Sequence, residues 1–458
     1  MEQLKTLYRI INLVLPLSDF FYILQIEEYS SKRFIKWLPL YFFKRDFQKR
    51  DSLKFTKRVK ISIFFTLIIW ITSLLVIVSL LNEVFIQILI LLLWSLLTPI
   101  FVLIGNTLVS PYFEYRKSAI RALSVEKINS NPNLKIILIA GSYGKTTTKN
   151  FIYQLVQYSY KTQMIPGNIN TPAGIANWVN NSLQTSTQLL IAEVDAYEVG
   201  EIAKSCSILK ADISVLTNIG DQHLERFGNV GNLAMALSEV FAFSKPNANL
   251  ITTSDVLNTL TNKEFGLREL TIIKPHAVLK YNSEALDVSH LSQTNRTNLN
   301  FALCVASILN VPSRFVVDSV AKLELPDRRQ KPSTIFGYQA IDDSYNISYS
   351  TALAGINFAK EESKKANKKL LVITAGIPEL SNDNKDKNQL LGSFLEKNAD
   401  YTVVLKSILY KDILSGFTNN EKYILVKDLK TFIKDINPNF TKDEWFLLLQ
   451  PELNDLYY

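Results

Sequence analysis

Two glycines, a lysine and two threonines in the run Gly141-Ser142-Tyr143-Gly144-Lys145-Thr146-Thr147 stand between an apolar stretch, Leu134 to Ile139, and a helical pattern from Asn150 to Val156. Strand, glycine-bounded turn and helix in that order build a cradle for phosphate oxygens. Backbone N–H groups freed by Gly141 and Gly144 can turn toward an anion, and the helix N-terminus adds the positive end of its dipole. Lys145 adds a point charge, the Thr146 hydroxyl suits Mg²⁺, and Ser142 and Thr147 complete the loop. The pattern is the short form Gly-x-x-Gly-Lys-Thr, because Ile139 stands where the longer phosphate loop has a glycine. The chemistry expected of these residues is use of ATP with Mg²⁺.

The elements that position them follow from periodicity. Leu189 to Val194 and Ile213 to Asn218 read as buried parallel strands. Their polar ends, Glu193 and Asn218, fall at the same sheet edge as Gly141, where ligands of such sheets collect. A second alternation of strands and helices begins after Pro326, with Ala340 to Asp343, Leu370 to Thr374, Thr402 to Leu405 and Trp445 to Leu449. The expected fold is α/β, with N-terminal transmembrane helices, a central P-loop-type parallel-sheet ATPase domain, and a smaller Rossmann-like α/β domain. The expected boundaries are 1–125, 126–312 and 313–458, with a hinge near Val311 to Lys331.

With 458 residues, 47% of them hydrophobic and 20% charged, the chain fits a folded protein that carries a membrane portion. Its formal net charge of +8 is local: residues 26 to 60 hold eleven Lys or Arg against four Asp or Glu. A basic stretch beside apolar segments is a flank for anionic lipid, so no nucleic acid is expected as partner. Ile61 to Leu81 and Val84 to Leu108 are charge-free runs long enough to span about 30 Å of hydrocarbon. Both outer flanks are basic, which places them in the cytoplasm. Leu7 to Leu24 is a weaker span or an interfacial helix. Ser31 to Phe55 interleaves aromatic and basic residues, as a segment lying among lipid headgroups does. The expected location is the cell membrane with the catalytic domains cytoplasmic. Cys206 and Cys304 lie in apolar patterns and are not expected to pair.

Several further motifs occur in order: Gly167-Asn168-Ile169-Asn170-Thr171-Pro172, Glu193 with Gly200-Glu201-Ile202, Thr217-Asn218-Ile219-Gly220-Asp221-Gln222-His223, Asn295 with Asn298, Pro326-Asp327-Arg328, and Asp342-Asp343-Ser344-Tyr345-Asn346. Together with the loop, they resemble the Mur ligase family over about residues 134 to 458, most closely its members that join D-alanyl-D-alanine to UDP-N-acetylmuramoyl-tripeptide. The resemblance implies an ADP-forming carboxylate–amine ligase. ATP phosphorylates an acceptor carboxylate, and an amine attacks the acyl phosphate. It implies Lys145, Glu193, His223 and Arg328 as catalytic residues, and Thr146, Glu193 and His223 as magnesium ligands. Asn295, Asn298, Arg328, Asp342 and Asp343 join the loop as nucleotide-side residues. The implied partners are a cell-wall peptide precursor, UDP- or lipid-linked, and an amino acid or dipeptide, with membrane lipid beneath.

Two departures qualify the resemblance. Several members hold a second magnesium on a carbamate-modified lysine, whereas Ala236-Leu237-Ser238-Glu239 occupies that stretch here. Glu239 or Asp195 would have to substitute, or the ion is held weakly. Nothing before Asn133 reads as a UDP-binding domain. A membrane-bound poly-γ-glutamate-type ligase and a non-catalytic ATP-binding scaffold for wall synthesis are the alternatives.

Overall fold

The computed structural model describes residues 17–43, 52–81, 83–220, 224–260, 268–274, 278–345, 347–378, 380, 383–436 and 440–450. Its contacts divide the chain into two units, Met1–Ala119 and Ile120–Tyr457, and keep both sheets in the second.

The first unit is helical, with helices Leu17–Ile26, Ser31–Phe43, Lys57–Ser79 and Val84–Leu96 and the start of Thr98–Asn129. A Cβ on Gly105 would run into the Thr66 hydroxyl and approach the Ser62 carbonyl at 3.1 Å, so glycine lets Lys57–Ser79 and Thr98–Asn129 pack closely. Among the described residues Lys57–Ser79 is the one helix that alone is long and apolar enough to cross a membrane. Residues 7–16 and 44–51 of the interfacial segments lie outside the described residues.

The expected second span, Val84 to Leu108, is not continuous. The helix stops at Leu96, restarts at Thr98, and bends by 56° between the two parts. Pro99 explains the break: it has no N–H for the Ser95 carbonyl and crowds the residue before it. The Thr98 hydroxyl donates to that carbonyl instead, at 2.6 Å.

The second unit holds two six-stranded sheets and a two-stranded hairpin. The first sheet comprises β1 (Lys135–Ala140), β2 (Thr162–Met164), β3 (Leu189–Glu193), β4 (Ile213–Leu216), β5 (Asn249–Thr253) and β6 (Glu269–Ile273), in the order β2-β3-β1-β4-β5-β6. All its pairings are parallel. The hairpin is β7 (Lys280–Tyr281) with β8 (Glu284–Ala285). The second sheet contains β9 (Lys331–Ile335), β10 (Tyr338–Asp342), β11 (Lys369–Thr374), β12 (Tyr401–Leu405), β13 (Tyr423–Val426) and β14 (Trp445–Leu449), in the order β13-β12-β11-β14-β10-β9. Only the β9–β10 edge is antiparallel.

Side-chain parity sorts the first sheet into two cores. Ile136, Leu138, Leu190 and Ala192 face one apolar cluster, while Ile137, Ile139, Leu189 and Ile191 face the other. The second cluster also contains Phe151, Ile152, Leu155 and Val156 of helix Lys145–Val156. Side chains alternate along a strand, so Glu193 falls on the face that this helix covers.

Candidate active site

Three adjacent strand ends bring the loop and its partners together. Ile139 of β1 is level with Glu193 of β3, and Ala140 is level with Leu216 of β4. The loop after β1 therefore opens between Glu193 and Thr217. Gly141 and Gly144 adopt positive φ, +141° and +84°, and Gly144 caps the N-terminus of helix Lys145–Val156. A Cβ at Gly144 would lie 2.5 Å from Asn298 Oδ1, and one at Gly141 would strike the Thr217 hydroxyl. No other residue type fits this path.

Ser142 ties the loop to the turn after β4. Its N–H donates to the Asn218 carbonyl at 2.9 Å, and its Oγ accepts from Gly220 N at 3.0 Å. Thr147 is buried in the first helical turn. The Lys145 ammonium donates to the Gly141 carbonyl at 2.5 Å and lies 3.1 Å from Asp195 Oδ2. These are exchangeable partners that phosphate oxygens would replace, which suits a lysine of this loop.

The Thr146 hydroxyl donates to Glu193 Oε2 at 2.8 Å. Hydroxyl and carboxylate are hard oxygen donors, the set that Mg²⁺ takes alongside water and phosphate oxygens. Glu193 is backed on its other oxygen by the Lys149 ammonium at 3.8 Å, and Lys149 also donates to the Ile165 carbonyl at 2.8 Å. Both side chains are almost fully buried. Burial pushes the Lys149 amine below its ordinary value, with Glu193 opposing the shift. The loop at Gly167 packs onto this pair, since a Cβ there would sit 3.0 Å from Glu193 Oε1 and 3.4 Å from Lys149 Nζ.

Asn298 and Asn295 project from helix Gln293–Ile308, which packs on helix Lys145–Val156 through the shared core. Asn298 Oδ1 accepts from the Thr148 hydroxyl at 3.4 Å, so this asparagine reaches the loop's helix directly. Asn295 is buried, with Nδ2 unpaired among the described residues. Ser292, before the same helix, donates to Gln330 Oε1 at 2.7 Å, and Gln330 Nε2 donates to Asp343 Oδ2 at 3.4 Å. Asp343 thus belongs to a buried chain joining the two sheet modules. Burial pushes its carboxyl up to about 7. Asp342 instead closes a local turn, accepting from Ser344 N at 3.1 Å and Ser344 Oγ at 2.6 Å.

Arg328 is exposed, and its backbone is left-handed at φ +59°. It is Arg329 that enters the site. Its Nη2 donates to Thr146 Oγ1 at 3.2 Å, and its guanidinium lies 4.1 Å from the centre of the Tyr345 ring. The arginine assignment therefore moves by one residue, because left-handed φ at Arg328 and at Gln330 (+53°) turns the chain so that the residue between them faces inward. His223 and Asn346 lie outside the described residues. Lys149, Arg329 and the Ser292–Gln330 link were not singled out from sequence. Lys149 alone carried a signal, as a charged residue one helical turn after Lys145 on the face turned to the sheet.

The residues match a known family model, the Mur ligase middle domain, over 139–305. The UDP-N-acetylmuramoyl-tripeptide--D-alanyl-D-alanine ligase of Rickettsia prowazekii (strain Madrid E) is 26% identical over 333 residues, covering 67% of this chain and 73% of the relative. The enzyme of the same name from Bacillus subtilis (strain 168) is 24% identical, covering 52% of this chain and 55% of the relative. Among solved structures, MurF ligase from Thermotoga maritima in complex with ADP aligns with a TM-score of 0.62 at 23% identity, covering 73% of this chain and 80% of that one. MurF from Acinetobacter baumannii aligns with a TM-score of 0.62 at 20% identity, covering 73% of this chain and 77% of that one. With its phosphate loop, acidic strand end and paired sheets in the order described, the chain belongs to the Mur ligase family.

Proposed function

We propose that this chain is an ATP-dependent, ADP-forming ligase that joins D-alanyl-D-alanine to the terminal carboxylate of UDP-N-acetylmuramoyl-tripeptide, working at the cytoplasmic face of a membrane. The carrying observation is the Thr146–Glu193 pair set beside Lys145 at the mouth of the first sheet.

Carboxylate and triphosphate repel one another, so phosphoryl transfer between them depends on positioning and charge neutralisation. Lys145 supplies one fixed charge. Mg²⁺, held by Thr146 and Glu193 when bound, supplies charge neutralisation at the phosphate oxygens. Gly141 and Gly144 let backbone amides approach the phosphates, and Asn298 holds the loop's helix in register. An acceptor oxygen attacks the γ-phosphorus and ADP leaves. The amine of the dipeptide then attacks the acyl carbon, phosphate leaves with its electron pair, and the nitrogen loses a proton. The buried link through Ser292, Gln330 and Asp343 holds the two sheet modules together, which keeps water from the acyl phosphate.

The membrane reading is supported by the apolar helix Lys57–Ser79 and the basic residues on its N-terminal side. Purified full-length chain is expected to release phosphate only when both tripeptide precursor and D-alanyl-D-alanine are present. It is also expected to float with anionic lipid vesicles at high salt. Phosphate release that glutamate alone supports would favour polymer synthesis, and nucleotide binding without turnover would favour a scaffold.

A further inference from the structure

The site contains one cation without an assigned role, Arg329, and lacks donors for one ion that relatives carry; this inference rests on the ligase reading above. At the position of the modified lysine, Leu237 is packed into the apolar core at 2% exposure. The adjacent carboxylate is committed elsewhere. Glu239 accepts from Gly200 N at 2.6 Å and Ala203 N at 2.9 Å, capping helix Glu201–Ile208, and swinging it away would orphan two amides. Asp195 is engaged by Lys145. Among the described residues no three His, Cys, Asp or Glu side chains converge on a metal position. The donor set therefore does not fit a second ion.

A guanidinium stands where extra positive charge is needed. Arg329 bonds the Thr146 hydroxyl, lies near enough to Glu193 for that carboxylate to favour its charge, and is braced by the Tyr345 ring. We propose that Arg329 is a catalytic residue that does the charge work of a second divalent cation, meeting the γ-phosphoryl group during transfer, so that the enzyme runs with one bound magnesium. In that step an acceptor carboxylate oxygen bonds to the γ-phosphorus. The bond from that phosphorus to the bridging oxygen breaks, and its electron pair leaves with ADP. No proton moves, and the guanidinium stays charged throughout. Bracing on an aromatic ring fixes this charge in advance, so little ordering is needed at the moment of reaction.

The test is equilibrium binding of Mn²⁺ together with either β,γ-methylene-ATP or ADP, using the full-length chain. The wild type is expected to bind one Mn²⁺ per chain with the triphosphate analogue. Arg329→Ala is expected to lose about tenfold or more in affinity for the analogue, the worth of a charged hydrogen bond, with little change for ADP. Arg329→Lys keeps the charge without the fork, should fall between the two, and carries the comparison if the alanine variant does not fold. Two Mn²⁺ per wild-type chain, or equal effects on both nucleotides, would overturn the proposal. A wild type that binds neither nucleotide would instead overturn the ligase reading on which it stands.

Discussion

The Thr146 hydroxyl donates to the Glu193 carboxylate at 2.8 Å, across the gap between the first turn of a helix and the last residue of a neighbouring strand. Two hard donors so placed form one edge of a magnesium site. Glu193→Gln keeps the shape and the hydrogen bond but removes the charge. It is expected to raise the magnesium concentration needed for half-maximal activity by about 100-fold, in line with losses seen around metal sites. A magnesium titration of phosphate release checks this, and an unmoved curve would place the ion elsewhere.

Lys149 neutralises that carboxylate from beneath. Removing one partner of a buried pair leaves the other charge uncompensated, so Lys149→Met is expected to cost about 3 kcal/mol of stability. Denaturant unfolding of Lys149→Met, Glu193→Gln and the double variant measures this. The two losses should be far from additive, since the neutral pair strands no charge. Additive losses would mean that the 3.8 Å contact carries no coupling.

Gly144 combines a left-handed backbone with a contact that leaves no room for Cβ. Gly144→Ala is expected to lose about 1–2 kcal/mol from the backbone alone. It should lose more in nucleotide affinity, because Asn298 must yield. Adding Asn298→Gly should return part of the affinity and none of the backbone cost. Calorimetric nucleotide binding to the single and double variants separates the two contributions.

Asp343 gives a pH signature. Its carboxyl ordinarily titrates at 3.8 and is pushed up to about 7, first by burial, against the opposing Gln330 hydrogen bond and Arg329 charge. Between those values the folded chain holds a proton that the unfolded chain releases. This group's contribution to stability is therefore full below 3.8 and is lost as pH rises to about 7. Asp343→Asn, which mimics the protonated form, is expected to flatten that slope and to be the more stable protein at about pH 8, with each pKa unit worth about 1.4 kcal/mol. Urea midpoints across this range decide it, and an unchanged slope would remove Asp343 from the balance.

What could be read in advance was what local pattern controls. The strand, turn and helix around Gly141 and Gly144, the parallel runs ending at Glu193 and Leu216, and the second sheet after Pro326 each announce themselves by periodicity or by residue type. β2, with three residues, is too short for any period. The bend at Leu97 was marked by Pro99, yet the apolar run continues through it. The inward turn of Arg329 was invisible, because it depends on left-handed φ at two residues that are not glycine. Likewise Glu239 matched a metal-binding stretch by spacing, and only the fold reveals that it caps a helix more than thirty residues earlier.

Activation of the acceptor carboxylate by phosphorylation leaves a mark that can be followed atom by atom. The tripeptide precursor is prepared with heavy oxygen in its terminal carboxylate, and the phosphate released during coupling to D-alanyl-D-alanine is analysed by mass spectrometry. One heavy oxygen should pass from the acceptor to each phosphate, with ADP unlabelled. Amide formed alongside phosphate free of label would contradict an acyl phosphate and the reading of the Lys145 loop built upon it.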